Sequence, residues 1–395
     1  MKEINTEVLI IGSGLVGLVA AHAFSVLNYD VTVVEKKNFL NLEKPLKDTR
    51  TVAVSEGSKQ FLDNLNLWRL LDPYTESIKK INVYGRYANN KIVFENNRQQ
   101  EKLGYVIENN KFSKVLFNNL KKFKNIKFLF DQNITKINTK ENYSITHLVN
   151  CTIKSKLIIA ADGKNSTVRK ILGTNFFNKK YNEKALVINF FHERPHNNIA
   201  YEIFLKTGPL AILPMQKERN RNQSALIWSN KPEIVDKIAS SDLHNKYVEE
   251  ILNEKIYQQV GNITKINSLQ SFPLSAHINE KFYDNKTVYV GDAAHSIHPI
   301  AGQGWNLGLR DVSSITKLLR KTKEEKAEIG TKIFCKMYND SCYYDAYRLF
   351  EITDKLDWIF KKDQFYFKFL KKVGFNILNK NTIFKEEIVK FAMGV

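Results

Sequence analysis

The stretch that decides the fold is Val8-Leu9-Ile10-Ile11-Gly12-Ser13-Gly14-Leu15-Val16-Gly17. Its four consecutive apolar residues predict a strand that is buried on both faces, as in parallel sheets. Residues 15–27 are apolar and rich in alanine, which predicts a helix packed on that sheet. Residues 30–34 predict a second strand, which ends at Glu35. The order strand, helix, strand predicts one βαβ unit at the start of the chain.

The glycine spacing between the first strand and the helix is Gly-x-Gly-x-x-Gly, which is typical of dinucleotide sites. Gly12 would allow the tight turn, Gly14 would let a pyrophosphate approach the backbone, and Gly17 would let helix and strand pack closely. The free N–H groups at the helix start favour a phosphate. Glu35 lies within the expected distance of about 20 residues and would bind the adenosine ribose. The plainer alternative is a βα turn with packing glycines, and the motif does not separate FAD from NAD.

Two later segments have the same form, a buried strand that ends in an acidic turn. Residues 157–161 lead into Asp162-Gly163 and a predicted helix, and residues 287–290 lead into Gly291-Asp292. The second turn is followed by Pro299-Ile300-Ala301-Gly302-Gln303-Gly304-Trp305-Asn306-Leu307-Gly308, which begins a helix predicted over residues 305–319. Asp292 alone could equally be a helix cap or a turn former. The glycine-rich segment after it favours a cofactor role, because a flat ring needs backbone without side chains nearby.

The bulk composition excludes several function classes. The chain has 60 Lys and Arg against 41 Asp and Glu, a net charge of +19, which would attract an anionic partner or else reflects a coding bias. We find no zinc-finger spacing and no long arginine run, so no nucleic-acid role is expected. The three cysteines show no CxxC spacing, so neither a disulfide framework nor a metal site is expected. No signal peptide or bilayer-length apolar run is visible, which predicts a cytoplasmic protein that is soluble or lies on a membrane surface.

The order and intervals of these motifs resemble those of the flavin monooxygenases related to para-hydroxybenzoate hydroxylase. Residues 48–58 and 298–312 are similar to signatures of the ubiquinone-biosynthesis hydroxylases within that group, and residues 103–109 and 392–394 look like them too. The resemblance covers nearly the whole chain. It implies an α/β fold: a Rossmann-like FAD-binding domain, an inserted antiparallel β-sheet substrate domain and a helical C-terminal region.

The resemblance and the strand pattern together predict domain boundaries. The FAD-binding domain is expected at residues 1–75, 100–180 and 275–330, and the β-sheet substrate domain at residues 76–99 and 181–274. Short β-type runs with few helical periods between them fill residues 185–271. A C-terminal helical region is expected over residues 331–395.

The resemblance also implies a role for individual positions. Glu35 would hold the adenosine ribose, Arg50 and Asn109 would lie along the pyrophosphate and ribityl chain, and Asp162 would serve FAD and passing NAD(P)H. Asp292 would bind the ribityl chain, and the turn and amides after Pro299 would lie beside the isoalloxazine ring. The predicted cofactor-binding residues are Gly12, Gly14, Leu15, Val16, Gly17, Glu35, Lys36, Arg50, Asn109, Asp162, Gly163, Asp292, Pro299, Gly302, Gln303, Gly304, Asn306 and Leu307.

The implied reaction is hydroxylation of the aromatic ring of a polyprenylated phenol or quinol in ubiquinone biosynthesis. FAD is reduced by NAD(P)H or by a partner reductase, reacts with O2, and transfers OH from the resulting flavin hydroperoxide. The alternatives are another phenolic substrate, or a non-catalytic flavoprotein in a quinone-synthesis complex. No catalytic residue is assigned; His295 and His298 could act as an acid or a base, but a structural role in the turn is favoured.

Two features of the C-terminal part remain open. In the resembling subfamily, arginines usually precede the aspartate that corresponds to Asp345, whereas residues 341–344 here are Ser-Cys-Tyr-Tyr. The sequence therefore does not predict an arginine contact from this segment. Residues 321–395 are basic and aromatic, with Phe365 and Phe369 among lysines. They would suit peripheral contact with the inner face of the cytoplasmic membrane, or equally a buried helix with a solvated lysine face.

Overall fold

The computed structural model describes residues 2–37, 48–85, 91–95, 102–240, 246–299 and 302–361, together with residue 387. The strands are β1 Lys2–Ile11, β2 Val31–Val34, β3 Thr51–Ser55, β4 Glu76–Ile78, β5 Lys80–Tyr84, β6 Lys91–Glu95, β7 Gly104–Glu108, β8 Ile126–Leu129, β9 Ile134–Thr139, β10 Ser144–Leu148, β11 Cys151–Ala160, β12 Phe176–His192, β13 Ile199–Leu205, β14 Gly208–Glu218, β15 Arg221–Asn230, β16 Ile263–Asn279, β17 Tyr283–Asp284, β18 Thr287–Tyr289 and β19 His295–Ser296. The helices are α1 Leu15–Val26, α2 Glu56–Asn64, α3 Trp68–Leu71, α4 Asn109–Leu120, α5 Thr167–Leu172, α6 Pro232–Ala239, α7 Lys246–Val260, α8 Gly304–Glu324 and α9 Lys332–Lys361.

The first sheet contains the three strands that carry the acidic and glycine-rich turns. Its order is β17-β18-β11-β1-β2-β8, with β10 and β9 added beside β11. The central strands β18, β11, β1, β2 and β8 are parallel. Parallel strands present their carboxyl ends at one edge of a sheet, where ligands of such folds bind. The βαβ unit predicted from the first residues is therefore confirmed, and the turns after β1, β11 and β18 lie along that edge.

The second sheet has the order β19-β16-β12-β15-β14-β13-β5-β6 and is antiparallel except for the pair β13 and β5. One of its faces is packed under α6 and α7 through an apolar core that includes Leu186, Leu226 and Leu252. A three-stranded sheet, β3-β7-β4, lies near its other face through Val106 and Ala200. These layers agree with the expected α/β architecture with an antiparallel insert.

Two sequence expectations differ from the structure. Helices α6 and α7 lie within residues 185–271, where few helical periods were expected. The buried residues of α7 are Val248, Leu252, Ile256 and Val260, a single column spaced by four residues, and such a narrow stripe is easily overlooked among polar residues. The apolar spacing of residues 57–71 predicts one amphipathic helix. The structure has two helices there, α2 and α3, because Asn66 between them takes a left-handed conformation with φ +57°.

The C-terminal part begins with the expected helix, since α9 extends over 30 residues. The aromatic and basic residues 362–386 and 388–395, including Phe365 and Phe369, lie outside the described residues. Among the described helices, we find none that is long and apolar enough to cross a membrane.

Candidate functional site

The turn between β1 and α1 requires glycine at two of its three positions. Gly12 has φ +101°, and a Cβ there would overlap the carbonyl oxygen of Ala161 and lie 2.9 Å from the Cα of Asp162. A Cβ on Gly17 would overlap the carbonyl oxygen of Gly12. Gly14 is different, because a Cβ there would meet no atom within 4 Å. The turn is therefore packed on its inner side and open at Gly14.

Gly14 is also the N-cap of α1, and no side chain caps this helix start. The first intrahelical bond runs from the N–H of Leu18 to the carbonyl of Gly14, so the N–H groups of Leu15, Val16 and Gly17 precede it. Leu15 and Val16 are partly buried against the core. An uncapped helix start with an open glycine suits a phosphate group.

Glu35 is anchored at the end of β2 by Ser13 in the middle of the glycine turn. One of its carboxylate oxygens, Oε2, accepts hydrogen bonds from the backbone N–H of Ser13 at 2.8 Å and from its hydroxyl at 2.9 Å. The other oxygen accepts one from the N–H of Lys37 at 3.1 Å. Lys36 beside it is exposed. Sequence reasoning missed Ser13, because a small polar residue between glycines gave no signal of its long-range partner.

Val16, at the start of α1, packs against two other segments that contain glycine, the Gly291-Asp292 turn and helix α8. A Cβ on Gly308 of α8 would lie 2.9 Å from the Val16 side chain, and one on Gly291 would lie 3.2 Å from it. Gly291 itself has φ +57°. The glycine turn, the Gly291-Asp292 turn and the start of α8 therefore meet at one point, where only glycine leaves room for Val16.

Arg50 is held at the entrance to β3 by a residue that sequence reasoning did not single out. Its guanidinium forms two hydrogen bonds to Asp48, at 2.8 and 2.7 Å, and lies 4.9 Å from the ring centre of Phe272. Asn109 donates a weaker bond to Asp48 at 3.3 Å, and its backbone N–H donates to the carbonyl of Arg50. Burial opposes the charge on Asp48, but the Arg50 guanidinium holds the pKa of this carboxyl below its usual value. Arg50 and Asn109 are thus neighbours joined through Asp48.

Asp162 caps the start of α5. One of its oxygens accepts hydrogen bonds from the N–H groups of Thr167 at 2.6 Å and Val168 at 3.1 Å. Burial raises the pKa of Asp162 despite these donors. Gly163 follows with φ +78° and open space around its Cα. The structure thus gives Asp162 a local structural role at this turn.

Arg169 ties the Asp162-Gly163 loop to the turn that contains Asp292. It is 4% exposed and donates to the carbonyl of Lys164 at 2.6 Å and to that of Ala293 at 3.2 Å. A further bond goes to Nε2 of His277 at 3.0 Å. Burial, and next the Arg169 charge, lower the pKa of His277 to about 3, so this imidazole stays neutral and accepts the bond. Sequence reasoning missed Arg169 because the residues next to it in the chain do not indicate that its side chain is buried.

Asp292 lies in a concave part of the surface: its side chain is exposed to solvent, yet surrounding protein desolvates it and raises its pKa. Three cations oppose that rise, and they come from separate segments: His295, Lys164 and Arg50. Lys164 also donates to the carbonyl of Ser275 at 2.7 Å. Asp292 is therefore close enough to interact with charges from three segments: its own turn, the loop after Gly163 and the segment before β3.

His295 and Asp311 form a buried pair beneath that turn. The imidazole Nε2 donates to an Asp311 oxygen at 2.7 Å, and the same oxygen accepts the N–H of Gly291 at 2.8 Å. Burial opposes protonation of His295, but Asp311 raises its pKa above the usual value. Both side chains are 1% exposed, so the pair supports the turn from below. His298 is also buried, with Nε2 3.8 Å from a carboxylate oxygen of Glu183.

Residues 302–307 form a second uncapped helix start. The N–H of Gly302, which has φ +61°, donates to the carbonyl of Pro299 at 3.0 Å. Gln303 is the N-cap of α8 without a side-chain capping bond, and the N–H of Leu307 is the first to bond back to it. The N–H groups of Gly304 and its two successors precede that bond, at the positive end of a 21-residue helix.

The Asn306 side chain is used within the protein. Its oxygen accepts from the N–H of Ser55 at 2.9 Å and the hydroxyl of Ser58 at 2.8 Å, and its NH2 group donates to the carbonyl of Ala53 at 2.9 Å. Asn306 therefore fixes β3 against the start of α8, so that only its backbone is left for a ligand.

These residues fit FAD. The site has two uncapped helix starts, and the open glycine beside one of them leaves room for an anionic pyrophosphate. It also has an anchored acid at the end of β2 and an accessible acid at the turn after β18, as dinucleotide sites do. Among the described residues, no group of His, Cys, Asp or Glu side chains could hold a metal ion.

Comparison with known proteins agrees with this geometry. The family described as FAD binding domain matches residues 5–331. Ubiquinone hydroxylase UbiL of Rhodospirillum rubrum is 27% identical over 98% of this chain and 89% of its own length, and ubiquinone hydroxylase UbiM of Neisseria meningitidis is 23% identical over 99% and 85%. The crystal structure of p-nitrophenol 4-monooxygenase PnpA from Pseudomonas putida superposes with a TM-score of 0.78 at 17% identity, covering 98% of this chain and 97% of that one. At that identity the last likeness concerns the fold alone.

Proposed function

Because the chain belongs to the FAD binding domain family, we propose that it is an FAD-dependent monooxygenase that hydroxylates the ring of a polyprenylated phenol or quinol intermediate of ubiquinone biosynthesis. The observation that carries this proposal is that the glycine turn, the Gly291-Asp292 turn and the start of α8 meet at Val16. The substrate class is supported by the relatives named ubiquinone hydroxylases, which align with nearly the whole chain.

We propose the cofactor contacts that the resemblance implies and that the geometry of the site supports. The start of α1 at Gly14 binds the pyrophosphate, with Arg50 as a further cation, and Glu35 binds the adenosine ribose. Asp292 accepts hydrogen bonds from the ribityl chain, and the first N–H groups of α8 stabilise negative charge on the flavin ring. When bound, FAD supplies the electron transfer and oxygen activation, while the protein supplies placement and exclusion of water.

The second sheet supplies the substrate layer in this proposal. Residues 76–99 and 181–274 would form it, and the first sheet with its turns would form the FAD-binding domain. Asn189 on β12 donates to the carbonyl of Thr49 at 2.7 Å, and Phe272 on β16 lies against Arg50. One face of the second sheet is therefore turned toward the segment that lines the cofactor site. NAD(P)H or a partner reductase would reduce the flavin.

The proposal is tested with purified protein and with a deletion strain. The protein should carry FAD, consume O2 in the presence of an electron donor and a prenylated phenol, and yield a product one oxygen heavier by mass spectrometry. The deletion strain should accumulate a quinone precursor. A normal quinone pool without precursor would contradict the substrate assignment. Bound FAD without donor-dependent O2 consumption on any precursor would favour a non-catalytic flavoprotein of a quinone-synthesis complex.

We also propose that the protein contacts an anionic membrane surface through helix α9. Helix α9 exposes apolar side chains spaced by 4, 7 and 14 residues, which places them on one side of the helix. They are Ile333 at 74%, Met337 at 45%, Tyr344 at 70% and Trp358 at 49% exposed. Lys336 and Arg348 flank them, and the net charge of +19 favours anionic head groups.

Serine at Ile333, Tyr344 and Trp358 together is expected to reduce binding to anionic liposomes by about tenfold, since each loses part of its apolar burial at the interface. Flotation of the FAD-loaded protein measures this. A matched control replaces Val149 and Tyr257, which are 58% and 44% exposed outside α9, by serine and should bind as the native chain does. Equal binding by both variants would exclude α9 as the contact.

A further inference from the structure

The second sheet carries a continuous row of side chains across six strands. Directly paired residues on β5, β13, β14, β15, β12 and β16 form it, and paired residues of neighbouring strands point to the same face. In that order they are Val83, Glu202, Ala211, Ile227, Val187 and Gln270. Asn189 and Phe272 each lie two residues further along β12 and β16. The row is therefore on the face that is turned toward Thr49 and Arg50.

Part of this row stays accessible. On β13, the neighbours of Glu202 on the same face are Ala200, which is 4% exposed, and Phe204, which is 7% exposed. Glu202 between them is only partly buried, as are Ala211 and Ile227 on the next two strands. This accessible and mostly apolar strip lies on the face directed at the cofactor segment, between covered residues, and offers a place for a small ligand.

Glu202 is the one ionisable side chain in this row of six. Its carboxyl has no hydrogen bond or ion pair within the described part of the chain. Burial among apolar groups raises its pKa to about 7, and no neighbouring charge contributes to the shift. A carboxyl that is desolvated and has no partner costs the folded protein stability, and a ligand bound on this face would supply the missing partner.

We propose that Glu202 binds the ring hydroxyl of the substrate, accepting a hydrogen bond from it, and thereby selects uncharged phenols over aromatic carboxylates. The inference rests on the proposed function and names the substrate-recognition residue of that site. A hydroxyl that donates to a carboxylate leaves more electron density on its ring, which favours attack by an electrophilic oxygen. A benzoate in the same place would set one carboxylate against another, and such like-charge contacts cost several kcal/mol.

A structural role for Glu202 makes different predictions. If the carboxyl only packed against the sheet, Glu202→Gln would keep its shape, remove a buried titrating group and leave ligand preference untouched. A role in binding the hydroxyl requires the ionised form, so activity of the native enzyme should rise with pH through about 7. The two roles are separated by a pH profile and by ligand preference.

The test compares the FAD-loaded native chain, Glu202→Gln and Glu218→Gln. Glu218 is an exposed carboxylate at the end of β14 on the same sheet. The amide oxygen of glutamine still accepts a hydrogen bond, so the loss is the difference between a charged and a neutral bond, about 1–1.5 kcal/mol. The kcat/KM for a prenylated phenol should therefore fall by about tenfold in Glu202→Gln. The rise of kcat/KM with pH should disappear there and remain in Glu218→Gln. A native kcat/KM and a native pH profile in Glu202→Gln would overturn the inference.

A second measurement does not depend on turnover. Binding of para-ethylphenol and para-ethylbenzoate is followed by the change they cause in the visible spectrum of the bound FAD. The native chain should prefer the phenol, and Glu202→Gln should lose most of that preference. If the native chain hydroxylates no prenylated phenol, the proposed function fails, yet this measurement still decides on Glu202. An unchanged phenol-to-benzoate ratio in Glu202→Gln refutes its role.

Discussion

Gly14→Ala is expected to give a protein that folds normally and has lost most of its affinity for FAD. Gly14 has φ −64° and ψ 176°, which alanine adopts readily, and its added Cβ would meet no protein atom within 4 Å. Stability should therefore stay within about 0.5 kcal/mol of the native value. The same methyl group stands at the uncapped start of α1, where the pyrophosphate must approach. An overlap there costs about 1–3 kcal/mol, a loss of about tenfold to a hundredfold in affinity.

Gly12→Ala is the matched comparison, two residues away in the same turn. Here the added Cβ overlaps the carbonyl oxygen of Ala161, and φ +101° is unfavourable for any side chain. We expect this variant to lose several kcal/mol of stability, or not to fold at all. The atoms that the added Cβ meets belong to the backbone and cannot rotate away, and the φ angle adds strain. Thermal unfolding of the apoprotein and titration with FAD, followed by flavin fluorescence, separate the two effects. Native FAD affinity in Gly14→Ala would show that the pyrophosphate does not approach this turn.

The sequence predicted those parts of the site whose signal is local. The βαβ unit was readable because its apolar strand, its glycines and Glu35 lie within 28 consecutive residues. The turns at Asp162 and Asp292 were readable because each directly follows an apolar strand. At Gly12 the backbone conformation itself demands the residue type, because φ is +101° there.

Partners distant in sequence could not be predicted. Arg169 meets His277 across 108 positions, and Asn306 meets Ser55 across 251. Those pairings exist only once the sheets have packed, so neither residue type nor spacing marks them. The role of Glu202 could not be predicted either, because it depends on which face of β13 the side chain occupies.

Asp345 has a cationic partner although the arginines expected before it are absent. Asp345 accepts a hydrogen bond from Arg310 of α8 at 2.9 Å. Cys342, in the substituted segment, is 5% exposed and belongs to the main core. The segment therefore packs α9 against the body of the protein, while a cation from the signature around α8 supplies the contact of Asp345.

Asp311→Asn is expected to cost about 3–5 kcal/mol, because it leaves a buried imidazole without its counter-charge. Asp311 and His295 are each 1% exposed and 2.7 Å apart, and the same carboxylate oxygen holds the N–H of Gly291. The turn that carries Asp292 rests on this pair, so FAD affinity should fall along with stability. Denaturant unfolding of the FAD-saturated protein measures the loss. The control Asp63→Asn, an exposed carboxylate on α2, should stay within about 0.5 kcal/mol.

The pH dependence of the native chain gives the same pair a second signature. Asp311, and to a lesser degree Asp292, raise the pKa of His295 above 6.5, the value of a free imidazole. The folded state then binds the proton more tightly than the unfolded state does. The stabilisation is complete below pH 6.5 and is lost as the pH rises through the folded pKa. His277 lies nearby but stays neutral in this range, since its pKa is lowered to about 3.

In Asp311→Asn that decline in stability with rising pH should vanish, because His295 loses the charge that favours its protonated form. His295→Gln should flatten the curve in the same way, and the double variant should cost less than the sum of the two single variants, since each alone already breaks the pair. Additive losses would mean that the two side chains stabilise the turn separately. A pH curve in Asp311→Asn that still falls above pH 6.5 would assign the titration to another group, and the support beneath Asp292 would then rest on the bond from Gly291 alone.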